Sequence, residues 1–90
     1  PSTLVMPLKI DAKEVFGLVK GLRDVGHNVE LDLRGKNIAK TLDWANKNGF
    51  TNVVIVGPQD LENNECSVKN LVSGEQTAVP LAIEAVSAIL

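Results

Sequence analysis

A short basic stretch, Arg34-Gly35-Lys36-Asn37 with Lys40 close behind, holds the residue types in this 90-residue sequence best suited to chemistry on an anion. A glycine flanked by cations between a strand-like run and a helix-like run would present backbone N–H groups at a helix start, where anions are attracted. The spacing argues against a Walker-type nucleotide loop, which needs a glycine five residues before its Gly-Lys pair and a Ser or Thr after the lysine. Those positions hold Glu30 and Asn37. What remains is a cluster of Arg34, Lys36 and Lys40 at the carboxyl end of a strand, the place where open α/β sheets bind ligands. A solvated, charged helix start also explains these residue types.

The other reactive side chains are sparse. Asp60 and Glu62 form a carboxylate pair, but no nucleophile, histidine or metal ligand lies near them in sequence, so they read as loop carboxylates able to accept hydrogen bonds from base amino groups. His27 is the only histidine and fits a helix-to-strand turn. Cys66 is the only cysteine, has no disulfide partner, and reads as a small apolar filler in a strand. Trp44 lies off the apolar face of its helix, where it would either stack on a base or cover the edge of a helix–sheet contact. No catalytic residue and no metal site is expected, and a domain this small rarely encloses a complete catalytic pocket, so the chain alone is not expected to be an enzyme.

Composition narrows the setting. With 44% hydrophobic and 22% charged residues the chain is far from the disordered regime and has room for one core. The net charge of −2 conceals an asymmetry: residues 1–49 carry eight basic and six acidic side chains, residues 50–90 one and five. A basic face is therefore compatible with an acidic total. No apolar run reaches the roughly 18 residues of a membrane span, and the first residues lack a basic signal-peptide start, so a soluble cytoplasmic protein is expected. Because Pro1 is not preceded by an initiator methionine, residues 1–90 are expected to be one domain excised from a longer chain.

Hydrophobic periodicity supplies the elements that must position these residues. Thr3 to Leu8 reads as a buried strand ending near Pro7. Asp11 to Val25 reads as a helix with a capping box between Asp11 and Glu14, apolar positions Val15, Leu18, Val19, Leu22 and Val25, and Gly26 as its stop. Asn28 to Leu33 alternates with period two, predicting Val29, Leu31 and Leu33 on one face and Glu30 and Asp32 on the other. Ile38, Leu42 and Ala45 then mark a second helix ending at Gly49, and Val53 to Val56 a central strand closed by Gly57-Pro58. This βαβαβ order implies parallel strands joined by right-handed crossovers. Glu65 to Leu71 and Gln76 to Val79 read as a hairpin, followed by a nearly all-apolar helix from Leu81 to Leu90 with Pro80 in its first turn. That helix would expose more apolar surface than one sheet covers, predicting contact with another domain or subunit and self-association. The expected fold is α/β: a mixed five-stranded sheet, three parallel strands plus a C-terminal hairpin, flanked by three helices.

Leu31-Asp-Leu-Arg-Gly-Lys-Asn-Ile-Ala-Lys40, Leu42-Asp-Trp-Ala-Asn-Lys-Asn-Gly49, Val53-Val-Ile-Val-Gly57 and above all Val68-Lys-Asn-Leu-Val-Ser-Gly-Glu-Gln-Thr-Ala-Val-Pro80 resemble the anticodon-binding domain of class II aminoacyl-tRNA synthetases, histidyl branch. Threonyl and prolyl relatives follow the Asp-x-Arg stretch with a Leu-Gly-Tyr/Phe-Lys pattern, unlike Asn37-Ile-Ala-Lys40. The resemblance spans essentially the whole chain. It implies recognition of the histidine-tRNA anticodon loop, normally GUG, whose unstacked bases expose their Watson–Crick edges. It further implies Arg34, Gly35, Lys36, Asn37, Lys40, Asp60 and Lys69 as RNA-binding residues, with Lys69 making a point-charge contact where threonyl relatives have an arginine. ATP and Mg would belong to a separate catalytic domain of a homodimeric parent, with no cofactor in this domain. Two other readings stay open: a non-charging accessory or regulatory module, and a small domain binding a nucleotide or metabolite at the same strand ends.

Overall fold

The computed structural model describes residues 2–33 and 37–90. Five strands form one sheet in the order β2-β1-β3-β4-β5. β1 (Ser2–Pro7) lies between β2 (Asn28–Leu31) and β3 (Phe50–Val56) and is parallel to both. β4 (Glu65–Asn70) and β5 (Gln76–Pro80) continue the sheet antiparallel beyond β3. The mixed sheet with its C-terminal hairpin is thus the one expected.

Strand alternation distributes the core over two faces. On one face Val5, Val29, Val54, Val56, Cys66 and Val68 meet Leu18, Val19 and Leu22 of α1 (Phe16–Asp24) and Val86 of α4 (Ile83–Ser87). On the other, Leu4, Met6, Val53 and Ile55 meet Ala45 and Leu42 of α2 (Ile38–Lys47). Placing α1 and α2 on opposite faces follows from the crossovers: the chain leaves β1 for β2 on one side, then returns past β1 to β3 on the other. The carboxyl ends of β1 and β3 form the resulting switch point, where such sheets open a crevice.

Several expected boundaries change for local reasons. The first helix begins as a 3₁₀ turn, Ala12–Val15. Asp11 Oδ1 caps the Lys13 N–H at 3.0 Å, while the Glu14 N–H turns to the Asp11 carbonyl at 3.0 Å, so the first half of the expected capping box is present in altered register. β2 stops at Leu31, where the chain leaves the sheet, and the period-two pattern fails beyond it: Leu33, expected in the core, is 74% exposed, and Asp32, expected outside, is 4% exposed. The Asp32 N–H still donates to the Val5 carbonyl at 2.9 Å, drawing that residue inward.

Among the described residues there are four α-helices where three were expected. The additional one, α3 (Pro58–Glu62), occupies the segment read as a loop, because Pro58 suits a first helical position and Asp60 accepts the Gly57 N–H at 2.7 Å. The expected ten-residue terminal helix is reduced to α4. Pro80 ends β5 instead of opening the helix, and Ala82 is extended. With Ala82 extended ahead of α4 and a tighter turn through Ala88 behind it, Leu81, Ile83, Val86 and Leu90 all reach the same core. Leu81, Ile83 and Leu90 are partly buried by this contact, and Ile89 is 42% exposed.

Candidate nucleic-acid interface

Asn37 and Lys40 lie at the start of α2, and their positions are set by a cap. The Asn37 side chain accepts the Lys40 N–H at 3.0 Å, and the Asn37 carbonyl accepts the Thr41 N–H at 3.0 Å. Asn37 Oδ1 is thus used in satisfying a backbone donor that a helix start would otherwise leave unpaired. Lys40, the third residue of α2, is exposed to solvent in the first turn. Arg34, Gly35 and Lys36 lie outside the described residues.

Because α2 runs back from the carboxyl end of β2, its first turn lies at the same sheet end as the β1–β3 switch point. Asp60 reaches that end from α3. Its Oδ2 is engaged by the Gly57 N–H, so the carboxylate has a structural task beside any ligand contact. Lys69 projects from the α2 side of β4, where its register partners are Val53 and Gln76, and its Nζ reaches the Gly74 carbonyl at 3.5 Å. Asn37, Lys40 and Asp60 therefore share one end of the sheet, and Lys69 lies further down its α2 face.

Other cations are already engaged. Lys20 pairs with Asp24 at 2.9 Å and Lys47 with Asp43 at 3.0 Å. Arg23 Nε donates to the Val29 carbonyl at 2.9 Å, which caps the open edge of β2. A groove of about 430 Å³ beside α1 is lined by these same Lys20, Arg23 and Asp24 side chains together with Phe16, Val19 and Leu31, on the face away from α2. Lys9 was not singled out in the sequence. It directly follows the Leu8 N–H bond to the Val56 carbonyl, in a left-handed conformation of φ 59°, at the switch point itself. The only signal for it was its place just beyond Pro7 at the end of a strand.

The remaining singled-out side chains make contacts within the fold. His27 Nε2 and Ser87 Oγ are 2.7 Å apart, linking the α1–β2 turn to α4. Cys66 is fully buried, and burial, with Asp60 and Glu65 adding repulsion, pushes its thiol up to about 11. Trp44 covers the edge of the helix–sheet contact and packs against Phe50, ring centroids 5.7 Å apart. No helix among the described residues is long and apolar enough to cross a membrane, and no group of three His, Cys, Asp or Glu residues there could hold a metal ion.

A family model described as an anticodon binding domain matches residues 3–90. The chain belongs to that anticodon-binding domain family. Among its relatives, the histidine–tRNA ligase of Methanococcus maripaludis is 39% identical over 83 residues, covering 89% of this chain and 20% of the ligase. That of Halobacterium salinarum is 34% identical over 82 residues, covering 91% and 19%. This anticodon-binding domain thus spans about a fifth of the length of the curated relatives it matches. A crystal structure of histidyl-tRNA synthetase from Nostoc sp. PCC 7120 superposes with a TM-score of 0.82 at 28% identity, over 93% of this chain and 21% of that one. Prolyl-tRNA synthetase from Cryptosporidium parvum shares the fold, with a TM-score of 0.80 at 20% identity over 97% and 20%. These findings agree with the resemblance carried by Leu31–Lys40 and Val68–Pro80.

Proposed function

We propose that this domain reads the anticodon loop of the histidine tRNA for a longer histidine–tRNA ligase of which it is one domain. The observation that carries the reading is the similarity to histidine–tRNA ligases across nearly the whole chain, at the 39% level in the Methanococcus maripaludis protein. Cations at the start of α2 supply the attraction for phosphate, and the carboxyl ends of β1 and β3 supply the crevice. Arg34 and Lys36 continue that basic start in sequence. In this reading Arg34 contacts a base, Lys36 and Lys40 contact phosphate, Gly35 permits close backbone approach, and Asn37 holds the helix start in place. Asp60 and Lys69 would bound the site from α3 and β4. ATP and Mg would serve the catalytic domain of the longer, homodimeric, cytoplasmic enzyme, with no cofactor required in this domain.

The test is a titration of the 90-residue chain with a GUG anticodon stem-loop and a scrambled-anticodon control at near-physiological salt. Selective but weak binding is expected, because contacts elsewhere on the tRNA that would add avidity are missing. Equal affinity for both loops would refute base reading. Selective binding to a mononucleotide with no preference among stem-loops would favour the small-ligand reading instead.

A further inference from the structure

A second groove, of about 370 Å³, lies on the α2 side of the sheet, lined by Leu4, Glu30, Leu31, Asp32, Leu33 and Trp44. Its volume is near the lower end for small-ligand sites, which begin at about 300 Å³. Glu30 is brought there by register: it is the β2 partner of Leu4, on the face that α2 covers only in part. Trp44 approaches from α2, is 36% exposed, and is anchored by its contact with Phe50. Apolar surface comes from the exposed Leu33 and the half-buried Leu31, with the buried Leu4 behind them.

The geometry points to this groove as a guanine-reading subsite, with Trp44 as the stacking surface and Glu30 as the reader of the base edge. This rests on the domain being an anticodon binder. An ionised carboxylate is an acceptor with two oxygens in one plane. Guanine is the RNA base that presents two adjacent donors, N1–H and the N2 amino group, on its Watson–Crick edge. The two match in a bidentate, charge-assisted pair, the strong form of hydrogen bond. Adenine and cytosine each offer one amino donor beside a ring acceptor, and uracil one N–H between two carbonyls, so each would set a lone pair against the carboxylate. The half-exposed indole suits a base splayed from a loop, because unstacked bases are commonly held on aromatic rings. Glu30 lies on an exposed strand position, so its replacement leaves the core intact.

Trp44 is the only tryptophan, so its fluorescence reports on this groove alone. A 5′-labelled GUG stem-loop is titrated while RNA anisotropy and tryptophan emission are followed together, with inosine replacing each guanine in turn to delete the N2 amino group. The expected result is quenching that saturates with the anisotropy, and an inosine penalty of about tenfold at one guanine position in the parent that vanishes in Glu30→Gln. Selective binding with unchanged tryptophan emission, or an inosine penalty equal in parent and Glu30→Gln, overturns the subsite and leaves anticodon reading standing. Loss of GUG selectivity altogether overturns both. Quenching by an arginine-rich peptide but not by RNA overturns the subsite in favour of a protein ligand.

Discussion

Gly21 of α1 lies directly beneath Ile83 of α4, so close that a Cβ at position 21 would overlap the isoleucine side chain. Alanine is the better helix former by about 1 kcal/mol, whereas overpacking a fitted contact costs about 1 to 3 kcal/mol. Gly21→Ala is therefore expected to destabilise the domain by about 1 kcal/mol in urea unfolding, and to stabilise it once Ile83→Ala has removed the obstruction. Additive effects of the two substitutions would show that the contact does not hold α4.

Asp60 separates a structural from a recognition role. Asp60→Asn keeps an oxygen to accept the Gly57 N–H at a reduced charge, whereas Asp60→Ala removes the cap, at a cost of about 1 kcal/mol. Thermal unfolding is expected to rank parent above Asn above Ala. If the carboxylate also reads a base, stem-loop affinity falls in both variants, and it falls in Asn by more than its lost stability explains. Unchanged affinity in Asp60→Asn would confine Asp60 to capping.

Lys20 provides the control for Arg34. It is an exposed helix cation paired with Asp24, remote from the start of α2. Arg34→Ala is expected to weaken stem-loop binding by the about 1 to 3 kcal/mol of a base contact, and Lys20→Ala by a few tenths. Lys36→Ala should lower the slope of affinity against salt without altering base preference. Equal losses for Arg34 and Lys20 in fluorescence titration would reduce the basic stretch to general attraction.

The buried Cys66 thiol holds its proton to about pH 11, against 9.0 for the free group. The folded state therefore binds more protons than the unfolded state between these values, and folding stability falls as pH rises through that window. Denaturant unfolding at pH 8 and pH 10 is expected to show this decline, with a shallower one in Cys66→Ala. Thiol labelling at pH 8 should proceed no faster than the protein opens.

Element order, the parallel centre of the sheet and the C-terminal hairpin were legible in the sequence because each rests on local periodicity and turn chemistry. Val53 to Val56 is apolar at every position, as a central strand covered on both faces must be, and Gly26 and Gly49 mark the helix ends with φ of 98° and 82°. The basic stretch after β2 and the Val68–Pro80 hairpin also carried the family by residue type alone. Tertiary structure decided what periodicity cannot encode. Asp32 and Leu33 exchanged environments because β2 ended two residues early, and strand length depends on the partner strand available to pair with it. The terminal helix shortened because Leu81 joins the core of Ile83, Val86 and Leu90 from an extended approach through Ala82. Glu30 and Trp44 are fourteen positions apart and entirely ordinary in sequence. They share a groove because β2 pairs with β1 while α2 crosses above, a juxtaposition that exists only once the sheet has formed.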